Sequence, residues 1–259
     1  MELITVHPLD PETVRRYVAA LQGTEAVPAA WAAWWTPALT GALAGAREGN
    51  ERAANQLTHG LAQALAVELP VYFQQGFGFT TWEARVDRGL GMLLRPPSRL
   101  FVEAGLPEPV ARTMPIRLDL QQGMMGGAWI PARLVPDLER QLDLRLERTA
   151  KRLADGEFDA YAMLGLMLEA ATYARQQGLG LFEAMDVVGP EGELQGAGTV
   201  VIPDRRRLSP AVQERIAVAI TPPKQPGLLA RLFGRKGQEA FSPNGKTPPP
   251  SDVTPFDPE

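Results

Sequence analysis

The stretch that most narrows what this chain can fold into is residues 157–178, EFDAYAMLGLMLEAATYARQQG. Tyr161, Met163, Leu164, Leu166, Met167 and Leu168 leave almost no polar face. A helix that is apolar on most sides cannot lie on a surface and needs other elements packed around it. Glu169 ends the apolar run of 160–168, far short of the roughly 20 residues needed to span a bilayer. The N-terminus, MELITVHPLDPETV, has neither the basic start nor the apolar core of a secretory signal. The protein is therefore expected to be soluble and cytoplasmic, with this helix central to its core.

The elements to surround that helix are legible at several places. ELITVH reads as a short strand, followed by Asp10 as an N-cap, Pro11 at the first helical position and Gly23 as the stop. VPAAWAAWWTPALTGALAGA reads as helical with a break near Pro37. Asn50 opens a cleaner helix in which Leu57, Leu61 and Leu65 form one stripe, and Pro70 ends it. In VYFQQGFGFTTWEARVD, Trp82, Ala84 and Val86 alternate with charged residues, the pattern of a half-buried strand; IRLDL at 116–120 alternates in the same way. Five prolines punctuate the connection over 95–115. PDLERQLDLRLERTAKRLADG predicts one amphipathic helix with Leu138, Leu142 and Leu146 inward. GLFEAMDVV and TVVIP predict a hairpin or two separate strands, and Ser209 with Pro210 opens a last helix.

These elements predict an α+β, helix-dominated fold, with several amphipathic helices around the buried central helix and a small antiparallel sheet. The expected globular domain covers 1–221. From Pro222 the texture changes: nine of the 24 prolines fall in the last 38 residues, the composition of a flexible tail. Within it, PGLLARLFGRKG at 226–237 puts Leu228, Leu229, Leu232 and Phe233 on one stripe and Arg231 and Arg235 on the other side. A short basic amphipathic segment of this kind suits a protein partner or weak contact with an anionic membrane surface; the alternative is a solubilised linker.

Composition excludes several chemistries. With no cysteine, the chain has no disulfide, thiolate zinc site, iron–sulfur cluster or cysteine nucleophile. Only His7 and His59 are present, too few for a three-imidazole metal site. The net charge of −4 gives no field that would favour nucleic acid. Arginine outnumbers lysine 22 to 4, which reads as the coding bias of a GC-rich, bacterial genome. No cofactor and no metal are expected.

The glycine-rich run QQGMMGGAW, 121–129, is the one feature that resembles a phosphate cradle. It lacks the Lys-Ser/Thr of a P-loop, and Gly123, Gly126 and Gly127 are wrongly spaced for a dinucleotide fingerprint. The preferred reading is an architectural turn, with Met124, Met125 and Trp129 packed and with Gly126 or Gly127 in a conformation that Cβ disfavours. Arg117 and Arg133 lie close enough in sequence to keep an anion site as the alternative, and the ligand-binding candidates are Arg117, Gly126, Gly127, Trp129, Arg133 and Glu169. Glu169, inside an apolar helix, must be paired, protonated or functional, with Arg175 or a neighbouring arginine as its partner. Asp155, Glu157 and Asp159 read as capping residues. His59 reads as a boundary histidine, and His7 as a strand-end one. Trp31, Trp34, Trp35, Tyr72, Phe73, Phe77 and Phe79 read as core, with an apolar ligand pocket as the alternative. Two functions follow. The leading one is a non-enzymatic interaction or adaptor protein with a rigid helical domain and a tail carrying Leu228, Leu229, Arg231, Leu232, Phe233 and Arg235 as a partner-binding motif. The other is an enzyme or small-ligand-binding protein with a pocket near 123–127, using carboxylates and arginines.

Overall fold

The computed structural model describes residues 3–75, 78–119, 121, 123–189, 198–202 and 204–221. The whole of segment 222–259, with its partner-motif residues from Leu228 to Arg235, lies outside the described residues, as does Phe77.

Helices dominate, and a five-stranded sheet divides them into two layers. The strands are β1 (Leu3–Leu9), β2 (Val71–Gln75), β3 (Gly126–Ile130), β4 (Gly180–Met185) and β5 (Val200–Val201), in the order β3-β4-β1-β2-β5. The four longer strands pair antiparallel, as expected, but β5 runs parallel to β2, so the sheet is mixed. β1 is buried on both faces. Its pairing with β2 stops at Val6↔Tyr72, so Pro8, which has no N–H to donate, lies beyond the reach of that ladder.

The side chains of β1 alternate between the layers. Leu3 and Leu9 join a core with α1 (Pro11–Gln22), α2 (Pro37–Arg47), α3 (Glu51–Glu68), α5 (Pro97–Glu103) and α6 (Glu108–Ala111). Val6 joins a core with α4 (Phe79–Arg85), α7 (Val135–Leu144), α8 (Leu146–Asp155), α9 (Ala160–Gln177) and α10 (Pro210–Ile220). The second layer is built around α9, which touches α7, α8, α10 and three strands. None of the described helices is long and apolar enough to cross a membrane.

The local chemistry of the helix ends matches the expected caps. Asp10 accepts from Thr13 N, Asn50 from Ala53 N, Asp159 from Tyr161 N and Ala162 N, and Ser209 from Val212 N. Gly23 and Gly178 close α1 and α9 in the left-handed conformation that glycine adopts without strain. Trp31 and Trp34 are core, packed with Trp35, Tyr17 and Phe101.

Four expectations are corrected. Residues 79–85 form helix α4, not a strand: Phe79, Trp82 and Val86 are buried at i, i+3 and i+7, a helical stripe that also satisfies alternation between 82 and 86. Residues 116–119 form no strand. The long helix over 136–156 is two helices, α7 and α8, broken at Arg145 (φ −118°, ψ 13°), although Leu138, Leu142 and Leu146 are all buried. The glycine run ends in strand β3, so Gly126 and Gly127 are extended; the positive φ values fall instead on Gly123 (57°) and Met124 (36°).

Leu164 is fully buried in α9, whereas Leu168 is only partly buried. Leu164→Ala is expected to cost about 2–5 kcal/mol and Leu168→Ala clearly less. Chemical denaturation of both variants checks this, and equal losses would contradict the placement of α9.

Candidate functional site

The residues singled out in the sequence do not converge. Gly126, Gly127 and Trp129 share β3, where Trp129 is buried and its indole N–H donates to Pro96 O. Arg117 is exposed and pairs with Glu83 at 2.7 Å. Arg133 is exposed in a short 3₁₀ turn, Ala132–Leu134. Glu169 stands on α9 in the second layer, paired with Arg207; Arg175 pairs with Glu139 instead.

The glycines nevertheless frame an anion, and it belongs to the chain. Glu183, in the middle of β4, is fully buried. Its Oε1 accepts from Ala128 N and its Oε2 from Thr80 N, each at 3.0 Å. A Cβ on Gly127 would stand 2.6 Å from Oε1, and one on Gly78 would stand 2.7 Å from Oε2. Gly126 is excluded from carrying a side chain for a different reason: its Cβ would collide with the Phe182 ring. Gly78 and the pair Gly126 and Gly127 therefore give up side chains to admit close neighbours. Gly78, as N-cap of α4, has no side chain to offer, and Glu183 supplies the cap from across the sheet. Burial raises the Glu183 pKa to about 7, against the pull of its backbone donors. A lone acid in the apolar strand GLFEAM was the sequence signal for this residue.

On the other face of the sheet lie the two histidines, both buried, which corrects the boundary placement of His59. Thr5 Oγ1 donates to Ala184 O, so His7 Nε2–H must be the donor in the 2.7 Å contact between Thr5 and His7. That leaves His7 Nδ1 as a bare, buried acceptor with no partner among the described residues. His59 Nε2 meets Asp186 O at 3.3 Å. Burial, with His59 nearby, lowers the His7 pKa to about 3, and burial also lowers that of His59.

Two of the concavities among the described residues are lined by residues singled out in the sequence. The larger, about 780 Å³, is a groove between α9, β2 and residues 207–212. Its floor and walls include Leu168, Leu208 and Val212, with Glu169 and Arg207 as its charged pair. Tyr72 lines it while only 3% exposed, and its hydroxyl makes no hydrogen bond to a described residue. Burial, and Glu169 close by, raise the Tyr72 pKa, so its hydroxyl remains a donor at ordinary pH. Tyr173 stands beside it, with ring centroids 6.3 Å apart. The sequence marked Glu169 and Tyr72 but gave no sign that Arg207 would face them. The smaller pocket, about 420 Å³, is lined by Arg52, Asn55, Gln56, Gly123 and Met124. Below it Met124 N donates to Asp186 Oδ2 at 3.1 Å, and Asp186 itself has φ 60°.

Comparison with known proteins finds no matching family model, no matching curated protein and no matching solved structure.

The buried acid and base impose opposite pH slopes on stability. An unfolded chain releases the Glu183 proton near 4.5 and the folded one near 7, so Glu183 lowers stability as pH rises through that window. An unfolded chain protonates His7 near 6.5 and the folded one only near 3, so His7 lowers stability as pH falls through that window. Between pH 4.5 and 6.5 the two slopes, each up to about 1.4 kcal/mol per pH unit, offset. Glu183→Gln is expected to unmask the histidine slope, with Tm falling more steeply below pH 6.5 than that of the unmodified protein. Parallel Tm–pH profiles for the two proteins would refute the assignment.

Proposed function

We propose that this chain is a non-enzymatic interaction protein of the cytoplasm whose folded region receives a segment of a protein partner in the groove along α9. The observation that supports this most is the form of the groove: an open, apolar-floored trough with a polar edge, large enough for several side chains, set against a helix locked into the core. Residues 227–237, through Leu228, Leu229, Leu232 and Phe233 flanked by Arg231 and Arg235, supply a second contact by the sequence logic of amphipathic recognition segments. Neither contact calls for a cofactor or for nucleic acid. A photo-crosslinking residue placed at Gln176, on the groove, is expected to capture a discrete polypeptide in the native host. The same residue at Glu48, exposed at the end of α2, is not. Identical products from both positions would remove the reading.

A second reading, a small-ligand-binding protein or enzyme, is favoured by the pocket beside Gly123 and Met124. Two non-glycine residues, Met124 and Asp186, hold positive φ there, a strain of order 1–3 kcal/mol each. Arg52, Asn55 and Gln56 present one cation and two amides to the cavity. Calorimetric titration with inorganic phosphate, ATP and NAD decides: micromolar affinity lost in Arg52→Gln at unchanged Tm supports it, and absence of heat with all three removes it.

A further inference from the structure

We propose that the cleft between α8 and residues 83–88, at the end of α4, is a binding site for a small phosphate ester, whose phosphoryl group sits between Arg88 and Arg148. The site is separate from the groove along α9 and from the pocket beside Gly123, and it depends on neither reading of them.

The cleft, about 490 Å³, is lined by three arginines, Arg88, Arg148 and Arg152, and three carboxylates, Glu83, Asp87 and Asp155. The lining is neutral by count, but the two signs are not equally free. Arg117 holds Glu83 at 2.7 Å and Arg145 holds Asp87 at 2.6 Å, and neither of those arginines lines the cleft. Asp87 also accepts from Gly89 N at 2.9 Å, and a Cβ on Gly89 would collide with the Arg145 guanidinium. Both carboxylates are thus committed to the fold. Arg152 is partly committed as well, since it donates to Val86 O at the end of α4. Arg88 and Arg148 are different: both are exposed, and neither makes an ion pair or hydrogen bond among the described residues. Arg148 nevertheless stands close to the charged wall. Burial acts to raise the Asp87 pKa, and Arg145, with Arg148 nearby, outweighs it and holds that pKa below the ordinary value. By contrast, the groove along α9 has its arginine paired, and the pocket beside Gly123 has a single one.

With Arg117 and Arg145 included, five guanidiniums stand against three carboxylates. The two charges left over are gathered in one cleft of a chain whose net charge is −4. A phosphate monoester carries about two negative charges at neutral pH, and a guanidinium fork meets its oxygens two bonds at a time. A carboxylate monoanion would leave one of the two charges unmatched. The volume exceeds what a bare phosphate fills and leaves room for the organic part of an ester. A phosphorylated polymer would need the excess to continue along the surface. Instead Asp143 on α7 and Glu147 on α8 share the single Arg215.

The test is calorimetric titration of the full chain with ribose 5-phosphate, inorganic phosphate and acetate. Ribose 5-phosphate is expected to bind at least as tightly as inorganic phosphate, and acetate not to bind. Arg88→Gln and Arg148→Gln should each weaken binding about tenfold at unchanged Tm, because each removes a charge-assisted contact that the fold does not use. Asp155→Asn, which removes a lining carboxylate with no ion pair among the described residues, should tighten it. Lys151→Gln, an equal loss of charge on α8 outside the lining, should change it by less than about twofold, since solvent and salt screen exposed charges. Equal weakening by Lys151→Gln would reduce the attraction to net charge and overturn the site. Loss of binding in Arg52→Gln, with Arg148→Gln unaffected, would place the phosphate beside Gly123 and overturn it too. Absence of heat with both phosphates would overturn it outright, and binding of an oligonucleotide or phosphopeptide in place of ribose 5-phosphate would overturn the small occupant.

Discussion

The fold hangs on one buried carboxylate. Glu183 ties together three segments: its own strand β4, the edge strand β3, already paired with β4, through Ala128 N, and the first turn of α4 through Thr80 N. An acid can be taken out of water only if its oxygens are matched by donors, and here backbone amides supply them. Amides reach a side chain at 3.0 Å only where neighbouring Cβ atoms do not intervene, and Gly78 and Gly127 provide that clearance. The remaining architecture is arranged to permit this tie. β3 is kept at the sheet's edge by its bridge to Arg95, Thr58 on α3 accepts from Gly126 N, and α4 starts where the carboxylate can cap it.

That arrangement explains why the glycine-rich run misleads when read alone. Its spacing lacks the partners of a phosphate cradle, and Gly126 and Gly127 lie in a strand where the sequence predicts a turn, yet that strand helps to form a cradle all the same. The ligand is a side chain some 55 residues further on. Nothing local in QQGMMGGAW points to GLFEAM. The features legible from sequence are those whose cause lies within a few residues. The caps at Asp10, Asn50, Asp159 and Ser209 are of this kind, as are the leucine stripe of α3 and the apolar wrap of α9. The features missed have causes elsewhere in the chain. α4 looks like a strand because a seven-residue helix offers too few positions to separate a period of 3.6 from one of 2. His59 looks like a boundary residue because the surface that buries it, β4 and its Asp186, lies 127 residues away.

The groove follows the same rule. Glu169 draws notice because acids are rare in apolar helices, and its pairing with an arginine is foreseeable in kind. Which arginine it meets depends on the return of the chain after β5, which sets Arg207 above α9. Because β5 pairs with only the first two residues of β2, the chain leaves the sheet early and turns over Tyr72 without sealing it. The parallel edge strand, the one departure from an antiparallel sheet, is thus what opens the site.

The Glu183 tie also bears on the order in which the chain can assemble. Its two donors lie 103 and 55 residues before it in the chain. Helices such as α3 form from neighbours and can appear early, whereas closure of so long a loop must wait. During synthesis the cradle residues 78–80 and 126–128 leave the ribosome well before the acid that fills them. Until then their amides are solvated and α4 lacks its cap. A contact formed after the rate-limiting barrier slows escape from the native state more than it speeds arrival. Glu183 would in that case be a lock on the finished fold, set by a strand made after both of its donor segments.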